Sequence, residues 1–290
     1  LEGELDEDTG VFSGDAFLQG EDPDFKAADA QDLLQALAEM GVKKMNGKFV
    51  VSPLFSLRSS ADPLSSAKGV LRIFRAGSAG RKVIHNGPVV VGTASPDAMT
   101  IARHESEELV DTLKVMLSRS LNHVAEQIGR VVGGVKKLEE FAVDDIGIPS
   151  QNIHLSTASG LGRNRMTPKD MMMVLLALKD ELGSHDMELH DILPVAGVDS
   201  GTLKERFTNE VERGSVVAKT GTLTTTDGGV SALVGMMRSQ KEDLFFVIFC
   251  WHGGVCSFRN MQDNLIRQWQ GQRGGPVRVN YDLAQANGRN

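Results

Sequence analysis

The spacing of hydrophobic residues changes near residue 100 and divides the chain into two parts. In the first part, short apolar runs at residues 11–18, 48–51, 70–74 and 89–91 predict strands. Residues 55–69, rich in serine and proline, predict a loop. One helix is expected to end at Gly41, because four apolar residues before it share a helical face: Leu33, Leu34, Leu37 and Met40. We therefore predict a small α/β domain over residues 1–98.

The second part combines helices with a late group of strands. A stripe from Leu109 to Leu117 predicts a helix, and a second helix is expected from Asn122 to Gly129. A third should begin at Thr167-Pro168, where a capping hydroxyl precedes a proline. Three strands separated by turn residues predict antiparallel hairpins, and a last helix follows them: Val216–Ala218, Val230–Met236, Leu244–Phe249 and Phe258–Trp269. We predict an α+β domain over residues 99–270, with an antiparallel sheet flanked by helices, and a polar, loosely ordered tail over residues 271–290.

Composition narrows the possible partners. The chain has 290 residues, of which 41% are hydrophobic and 24% charged, as in a soluble globular protein. A formal net charge of −7 argues against nucleic-acid binding. No apolar run is long enough to span a membrane. The acidic beginning at Leu1 has no start methionine, so we expect further sequence upstream.

The cysteines and histidines offer little support for a metal centre. Cys250 and Cys256 match no common zinc spacing, and they could form a disulfide or remain two free thiols. The seven histidines are scattered along the sequence. We expect neither a metal nor a cofactor.

Lys219-Thr220-Gly221 ends an apolar run and is the most informative motif of the chain. Lysine supplies a cation, threonine a hydroxyl, and glycine permits close approach of another backbone. This combination suits a strand edge that binds a carboxylate and aligns a peptide beside itself. A strand end that runs into a turn would explain the same residues.

Ser120-Leu121-Asn122 lies 99 residues before Lys219 and follows the helix predicted to end at Leu117. A Ser-x-Asn triplet is expected about once by chance in a chain of this length. Ser120 and Asn122 could also simply cap a helix. In combination with Lys-Thr-Gly, however, the triplet belongs to the motif set of serine β-lactamases and penicillin-binding proteins.

Several further blocks, in the same order, resemble the S13 family of low-molecular-mass penicillin-binding proteins, which are D-alanyl-D-alanine carboxypeptidase/endopeptidases. The blocks that carry the resemblance are Gly14–Pro23, Gly41–Gly47, His104–Ser106, Ser159–Pro168 and Leu193–Leu203. The resemblance implies a penicillin-binding/β-lactamase-like transpeptidase fold. It also implies that residues 1–98 are the remnant of an accessory domain inserted between the first and second motifs.

The resemblance further implies a serine-type peptidase that cleaves D-Ala–D-Ala bonds of peptidoglycan stem peptides through an acyl-enzyme. Ser120 would relay a proton to the leaving amine, and Asn122 would hold the substrate backbone and the catalytic lysine. Lys219 would set the electrostatics of the site. β-Lactam antibiotics would acylate the complete enzyme, and the protein would act in the periplasm or elsewhere outside the cytoplasm.

The remaining residues of the strand motif receive substrate-binding roles from the same resemblance. Thr220 would bind the terminal carboxylate together with Lys219, and Gly221 would permit the close approach of the peptide. The backbone N–H of Thr222 would form half of the oxyanion hole, a contribution of about 3 kcal/mol.

The nucleophile is the main departure from the family pattern, which places its Ser-x-x-Lys before the region that begins here at Leu1. Ser65-Ser66-Ala67-Lys68 is the one such pattern in the chain. It requires a helix start, so that lysine lies one turn from serine, whereas the run at residues 70–74 predicts a strand. Ser65 nevertheless precedes Ser120 by 55 residues, a separation like that in compact β-lactamases.

Three readings therefore remain open. The chain could be the main part of a serine carboxypeptidase whose Ser-x-x-Lys lies upstream. It could be a non-catalytic peptidoglycan-binding or scaffold protein that has lost the nucleophile. It could also be a compact β-lactamase-like hydrolase that uses Ser65 and Lys68.

Overall fold

The computed structural model describes residues 1–58 and 60–281 and separates the chain into two compact units, Leu1–Glu107 and Glu108–Asn290. The boundary predicted at residue 98 falls in the irregular segment that ends the first unit. The chain as a whole is α+β, with one largely parallel sheet and one antiparallel sheet.

The first unit combines six short strands with two helices. These elements are β1 (Glu2–Asp6), β2 (Val11–Leu18), α1 (Ala27–Glu39), β3 (Lys44–Asn46), β4 (Phe49–Val51), α2 (Pro63–Ala76), β5 (Ile84–His85) and β6 (Val89–Val91). The sheet order is β5-β3-β2-β4-β6, with parallel neighbours, and β1 adds to β2 in the antiparallel direction. This is the small α/β organisation that the hydrophobic pattern predicts.

Helix α2 corrects the prediction of a loop over residues 55–69 and a strand over residues 70–74. The Asp62 carboxylate accepts the N–H groups of the first turn, and Pro63 occupies the first helical position. The buried residues recur at helical rather than alternating spacing: Ser66, Ala67, Val70 and Phe74. The prediction was wrong because it followed the β-branched and aromatic residues of this run, which favour strands, and not the helical spacing of its apolar residues.

The described part of the second unit, up to residue 281, contains six α-helices and three strands. They are α3 (Leu109–Arg119), α4 (Asn122–Val131), α5 (Gly134–Asp144), α6 (Pro168–Ser184), α7 (Leu189–Ile192), β7 (Val216–Leu223), β8 (Val230–Met237), β9 (Leu244–Trp251) and α8 (Val255–Gln272). The strands form the predicted antiparallel sheet in the order β7-β8-β9. Helix α5 was not anticipated from the sequence.

Strand β7 lies between two apolar cores, because successive side chains of a strand point to opposite faces. Val217 belongs to a core with Leu175 of α6, whereas Ala218 belongs to a core with Ile266 of α8. By the same alternation, Lys219 shares the face of Val217, and Thr220 shares the face of Ala218. The two motif side chains therefore approach the strand edge from opposite faces.

The region after α8 packs more tightly than the predicted loose tail. Val279 is buried, and its N–H donates to the Gly214 carbonyl at 2.8 Å. Residues 282–290 of the predicted tail lie outside the described residues. Cys250 and Cys256 are both free thiols, the first buried and the second exposed. Among the helices described, none has the length and apolarity needed to cross a bilayer.

Candidate active site

Ser120 lies in the tight junction between α3 and α4 and has a left-handed backbone, with φ 56° and ψ 55°. Its N–H donates to the Met116 carbonyl, as in a helix C-cap, and the Leu121 N–H donates to the same oxygen at 3.0 Å. Glycine or asparagine is usual at such a position, because a β-carbon is strained there. The conformation ends α3 and turns the chain directly into α4, which fixes the position of the Ser120 side chain at the junction.

The Lys219 ammonium bridges β7 to this junction. Lys219 Nζ donates to Ser120 Oγ at 3.0 Å and to the Thr220 carbonyl at 2.6 Å. Burial lowers the pKa of Lys219 from 10.5 to about 8. Within residues 1–58 and 60–281, no carboxylate forms an ion pair with this lysine. A hydroxyl bonded to an amine with a pKa of about 8 can pass a proton, and a partly buried cation without an ion-pair partner favours an anionic ligand.

The outer edge of β7 opens at Lys219. Before this point the edge is covered, since the Ala218 N–H donates to the Pro194 carbonyl at 3.1 Å. Beyond Ala218, no described segment pairs with this edge of the sheet. Backbone groups alternate along an antiparallel strand, so the N–H groups of Thr220 and Thr222 point outwards as that of Ala218 does. An extended peptide could pair with these outward backbone groups, as in recognition by strand addition.

Gly221 and Thr222 complete the predicted strand motif. A β-carbon at Gly221 would lie 3.3 Å from the Ala232 side chain on β8, so glycine here also allows close packing within the sheet. The exposed Thr222 hydroxyl accepts a hydrogen bond from Arg259 Nη2 at 3.1 Å. Nothing in the sequence pattern indicated this arginine, which lies 37 residues further along the chain.

Thr202 forms a second bridge between β7 and α3. No role for this threonine was predicted from the sequence. The Thr220 hydroxyl donates to Thr202 Oγ1 at 2.7 Å, and the Thr202 N–H donates to the Ser118 carbonyl at 3.0 Å. Gly201 makes this contact possible, because a β-carbon there would lie only 2.1 Å from the Ser118 oxygen. The Gly201-Thr202-Leu203 block was the one available signal.

A buried ion pair fixes α3 beneath the site. Lys114 Nζ lies 2.7 Å from Asp199 Oδ2 and donates to the carbonyls of His190 and Leu193 at 2.8 and 2.7 Å. Asp199 Oδ2 also accepts the Val195 N–H at 2.7 Å. Because the segment from Leu193 to Asp199 covers the first half of β7 and leads into Thr202, this pair sets the spacing between α3 and β7.

The loop over residues 156–165 connects α4 to the far end of β7. Glu126 on α4 accepts the Ser159 N–H at 2.9 Å, and Arg165 Nη2 lies 3.0 Å from Asp227 in the β7–β8 turn. Burial raises the pKa of Glu126, but hydrogen bonds from Ser159 and Ala158 and the charge of Arg130 together outweigh burial and lower the pKa. Asn122 is the first residue of α4, and it is exposed beside the Ser120 junction.

Ser65 and Lys68 belong to the first unit, in the first turns of α2. The Ser65 hydroxyl donates to Asp62 Oδ2 at 2.6 Å and thereby reinforces the helix cap. A serine–lysine spacing at a helix start is therefore present, contrary to the expectation from sequence, but the serine hydroxyl is bonded to a carboxylate.

One group of potential metal ligands occurs in the first unit. The ligand atoms of Asp22, Asp29 and His104 all lie within 4.8 Å of one another. His104 Nε2 lies 2.9 Å from Asp22 Oδ2, and Asp29 Oδ2 accepts the Lys26 N–H in the capping box of α1. These hydrogen bonds account for the group, and the expected absence of a metal stays a prediction.

Two carboxypeptidases are similar to large parts of this chain. Carboxypeptidase Rv3627c of Mycobacterium tuberculosis is 27% identical over 274 residues, which cover 89% of this chain and 55% of the relative. D-alanyl-D-alanine carboxypeptidase DacB of Haemophilus influenzae is 33% identical over 181 residues, which cover 57% of this chain and 36% of the relative. The chain thus spans only about a third to a half of the length of these relatives.

A solved structure shows the same fold. The penicillin G-acylated Bd3459 predatory endopeptidase of Bdellovibrio bacteriovorus, in complex with immunity protein Bd3460, superposes with a TM-score of 0.68 and 19% identity. The match covers 92% of this chain and 78% of that one. Residues 60–268 match the sequence profile of the D-Ala-D-Ala carboxypeptidase 3 (S13) family, which is well over half of the 290 residues. The predicted resemblance is therefore confirmed, and this chain belongs to the S13 family.

Proposed function

We propose that this chain contributes the proton-relay and carboxylate-binding part of a serine-type peptidase that cleaves D-Ala–D-Ala bonds in peptidoglycan stem peptides through an acyl-enzyme. The observation that carries the proposal is the 3.0 Å contact between Lys219 Nζ and Ser120 Oγ beside an open strand edge. The terminal carboxylate of a carboxypeptidase substrate would supply the anion that the partly buried Lys219 ammonium lacks. Relatives named as D-alanyl-D-alanine carboxypeptidases support the same activity.

In the proposed reaction, the stem peptide lies along the open edge of β7. Ser120 passes a proton to the leaving amine, because its hydroxyl is already hydrogen-bonded to Lys219. Lys219 and the outward N–H of Thr220 bind the terminal carboxylate, since the Thr220 hydroxyl donates to Thr202 Oγ1. Asn122 holds the substrate backbone. The outward N–H of Thr222 donates to the developing oxyanion, a contribution of about 3 kcal/mol.

The attacking serine and its lysine are proposed to lie in a Ser-x-x-Lys segment outside the 290 residues. Within them, the Ser65 hydroxyl donates to the Asp62 carboxylate at 2.6 Å, and Asp62 caps the helix of the first unit in which Ser65 lies. These contacts support a structural role for Ser65 better than a nucleophilic one.

The finer features of the fold and location follow from the same proposal. The sheet β7-β8-β9 with its flanking helices would be part of a penicillin-binding/β-lactamase-like transpeptidase domain. The first unit would be the remnant of an inserted accessory domain. An enzyme that acts on peptidoglycan would work in the periplasm or elsewhere outside the cytoplasm. β-Lactams would acylate the full-length protein, as penicillin G acylates the Bd3459 endopeptidase.

Labelling with a fluorescent penicillin, followed by mapping of the labelled peptide, tests the proposal. We expect the full-length protein to be labelled on a serine outside residues 1–290, and the 290-residue chain to remain unlabelled. Label on Ser65 would favour the compact hydrolase instead. A full-length protein that takes up no label would contradict an enzymatic function and leave the peptidoglycan-binding alternative.

A further inference from the structure

We propose that Arg259 is a specificity-determining residue that binds, together with Thr222, the free carboxylate of the residue released by cleavage. This inference rests on the proposed peptidase function. Arg259 Nη2 donates to Thr222 Oγ1 at 3.1 Å. None of the ion pairs found among the described residues involves this guanidinium, which is exposed to solvent on α8. It therefore retains donors that can reach an anionic ligand.

Helix α8 is fixed in a way that brings Arg259 to this place. One turn after Arg259, the buried Gln262 amide donates to the Ser231 carbonyl on β8 at 3.2 Å. Ser231 is the cross-strand partner of Thr222. Asp263 on the next position of α8 accepts Arg206 Nε at 2.8 Å. These contacts hold the start of α8 over the row of the sheet that ends at Thr222, so the position of Arg259 is set by the scaffold.

The location of Thr222 explains why a cation beside it would bind the terminal carboxylate of the substrate. The Thr222 N–H points to the open edge of β7, where the scissile carbonyl of an extended peptide would lie. In a substrate with a free terminus, only the amide nitrogen and the α-carbon separate the scissile carbonyl from the carboxylate. A group beside Thr222 can therefore contact the carboxylate while the N–H holds the carbonyl.

The direction of the hydrogen bond strengthens this arrangement. Arg259 donates into Thr222 Oγ1, so the threonine hydroxyl keeps its own proton for a second partner. Donation from a cation polarises the hydroxyl and makes it a better donor to an anion. Thr222 and Arg259 thus form a pair of donors suited to one carboxylate.

Two cations then flank the open edge from opposite faces of the sheet. Lys219 approaches on the face of Val217, and Arg259 approaches from α8 on the face of Ala218. Because a guanidinium does not lose its proton in proteins, Arg259 stays charged where Lys219, with a pKa of about 8, becomes neutral. The pair favours a residue with a free carboxylate over one whose carboxylate is amidated or extended by a further peptide bond.

The test compares two substrates, acyl-D-Ala-D-Ala and its C-terminal amide, on the full-length protein. We expect Arg259→Gln to lower kcat/KM for the acid about tenfold, chiefly through KM, and to leave kcat/KM for the amide unchanged. Arg259→Lys should restore part of the preference for the acid, because it keeps the charge. Arg267→Gln removes the same charge from the same helix, where Arg267 pairs with Glu212, and should leave the ratio unchanged.

Each outcome decides one question. If the wild type is active but Arg259→Gln leaves the acid-to-amide ratio of kcat/KM unchanged, Arg259 does not bind the carboxylate. The proposed peptidase function would still stand. If the wild type hydrolyses neither substrate and takes up no penicillin, the proposed function fails, and this inference fails with it. A selective loss for the acid in Arg259→Gln but not in Arg267→Gln supports the carboxylate site.

Discussion

Lys219 Nζ lies 3.0 Å from Ser120 Oγ, although 99 residues separate the two in the chain. The contact joins a strand edge to the junction of two helices, and neither element could position both groups alone. It also places the two sequence motifs in one site, which is the spatial relationship that the S13 resemblance required. Consequences for catalysis and for stability can be separated at Ser120, because its side chain and its backbone contribute differently.

We predict that Ser120→Ala and Ser120→Gly will both lower kcat of the full-length protein by about 10² to 10⁴-fold, since both lack the hydroxyl that we propose relays a proton. Their stabilities should differ. Alanine keeps the strain of a β-carbon at φ 56°, whereas glycine relieves it. Ser120→Gly should therefore unfold with a free energy about 1 kcal/mol higher than that of Ser120→Ala, as measured by urea denaturation.

The matched pair of variants makes this prediction specific. Equal loss of activity with a more stable glycine variant is the expected result. Full activity in either variant would rule out proton transfer through Ser120. A glycine variant less stable than the alanine variant would mean that the left-handed conformation does not cost stability at this position.

The lowered pKa of Lys219 predicts a pH dependence of substrate capture. Below pH 8 the ammonium is charged and can bind a carboxylate, and above its pKa of about 8 it becomes neutral. The kcat/KM for acyl-D-Ala-D-Ala, which reports the free enzyme, should therefore fall above about pH 8, by up to tenfold per pH unit. A series of initial rates from pH 6 to about pH 10 measures this.

Lys219→Arg provides the control for this titration. A guanidinium stays charged over the whole range, so the decline near pH 8 should disappear even if the absolute rate is lower. A wild-type rate that rises through pH 8 would indicate that the neutral amine is the active form. In that case Lys219 would act mainly as a base for Ser120 and not as a carboxylate ligand.

Much of the second unit could be predicted from sequence because its signals are local and strong. The stripe from Leu109, the capping hydroxyl and proline at Thr167-Pro168, and the turn residues after β7 each specify an element through contacts within a few residues. The motifs themselves predicted that Ser120 and Lys219 belong together. That prediction came from the family resemblance of the motifs, since the number of residues between two motifs does not determine their distance in the folded protein.

The remaining features depend on contacts that a single sequence does not display. In α2, the run from Val70 to Phe74 has strand-like composition, and only its burial at helical spacing against the apolar core of the first unit reveals a helix. Thr202 and Arg259 reach the strand motif through hydrogen bonds from distant segments. Threonine and arginine are common surface residues, so neither stands out before the fold is known.

The buried ion pair between Lys114 and Asp199 should be a major contributor to stability. Lys114→Met leaves the Asp199 carboxylate buried without its cation, so we expect the free energy of unfolding to fall by about 3 to 5 kcal/mol in urea denaturation. Lys136→Met removes a lysine of the same unit whose side chain is 88% exposed and should change stability by less than about 0.5 kcal/mol. A Lys114→Met variant as stable as Lys136→Met would show that the pair does not hold α3 in place.

Gly201 offers a way to disturb the site without removing any of its polar groups. A β-carbon at Gly201 would lie 2.1 Å from the Ser118 carbonyl oxygen, with φ at 130°, so Gly201→Ala must move the end of α3 that carries Ser120. We expect kcat/KM to fall about 10²-fold, because a shift of about 1 Å would misalign the proposed proton relay through Ser120. Gly134→Ala, also at positive φ but with no atom within 4 Å, should cost about 1 kcal/mol of stability and no activity. Equal activity of the two variants would mean that the Ser118–Thr202 contact does not position Ser120.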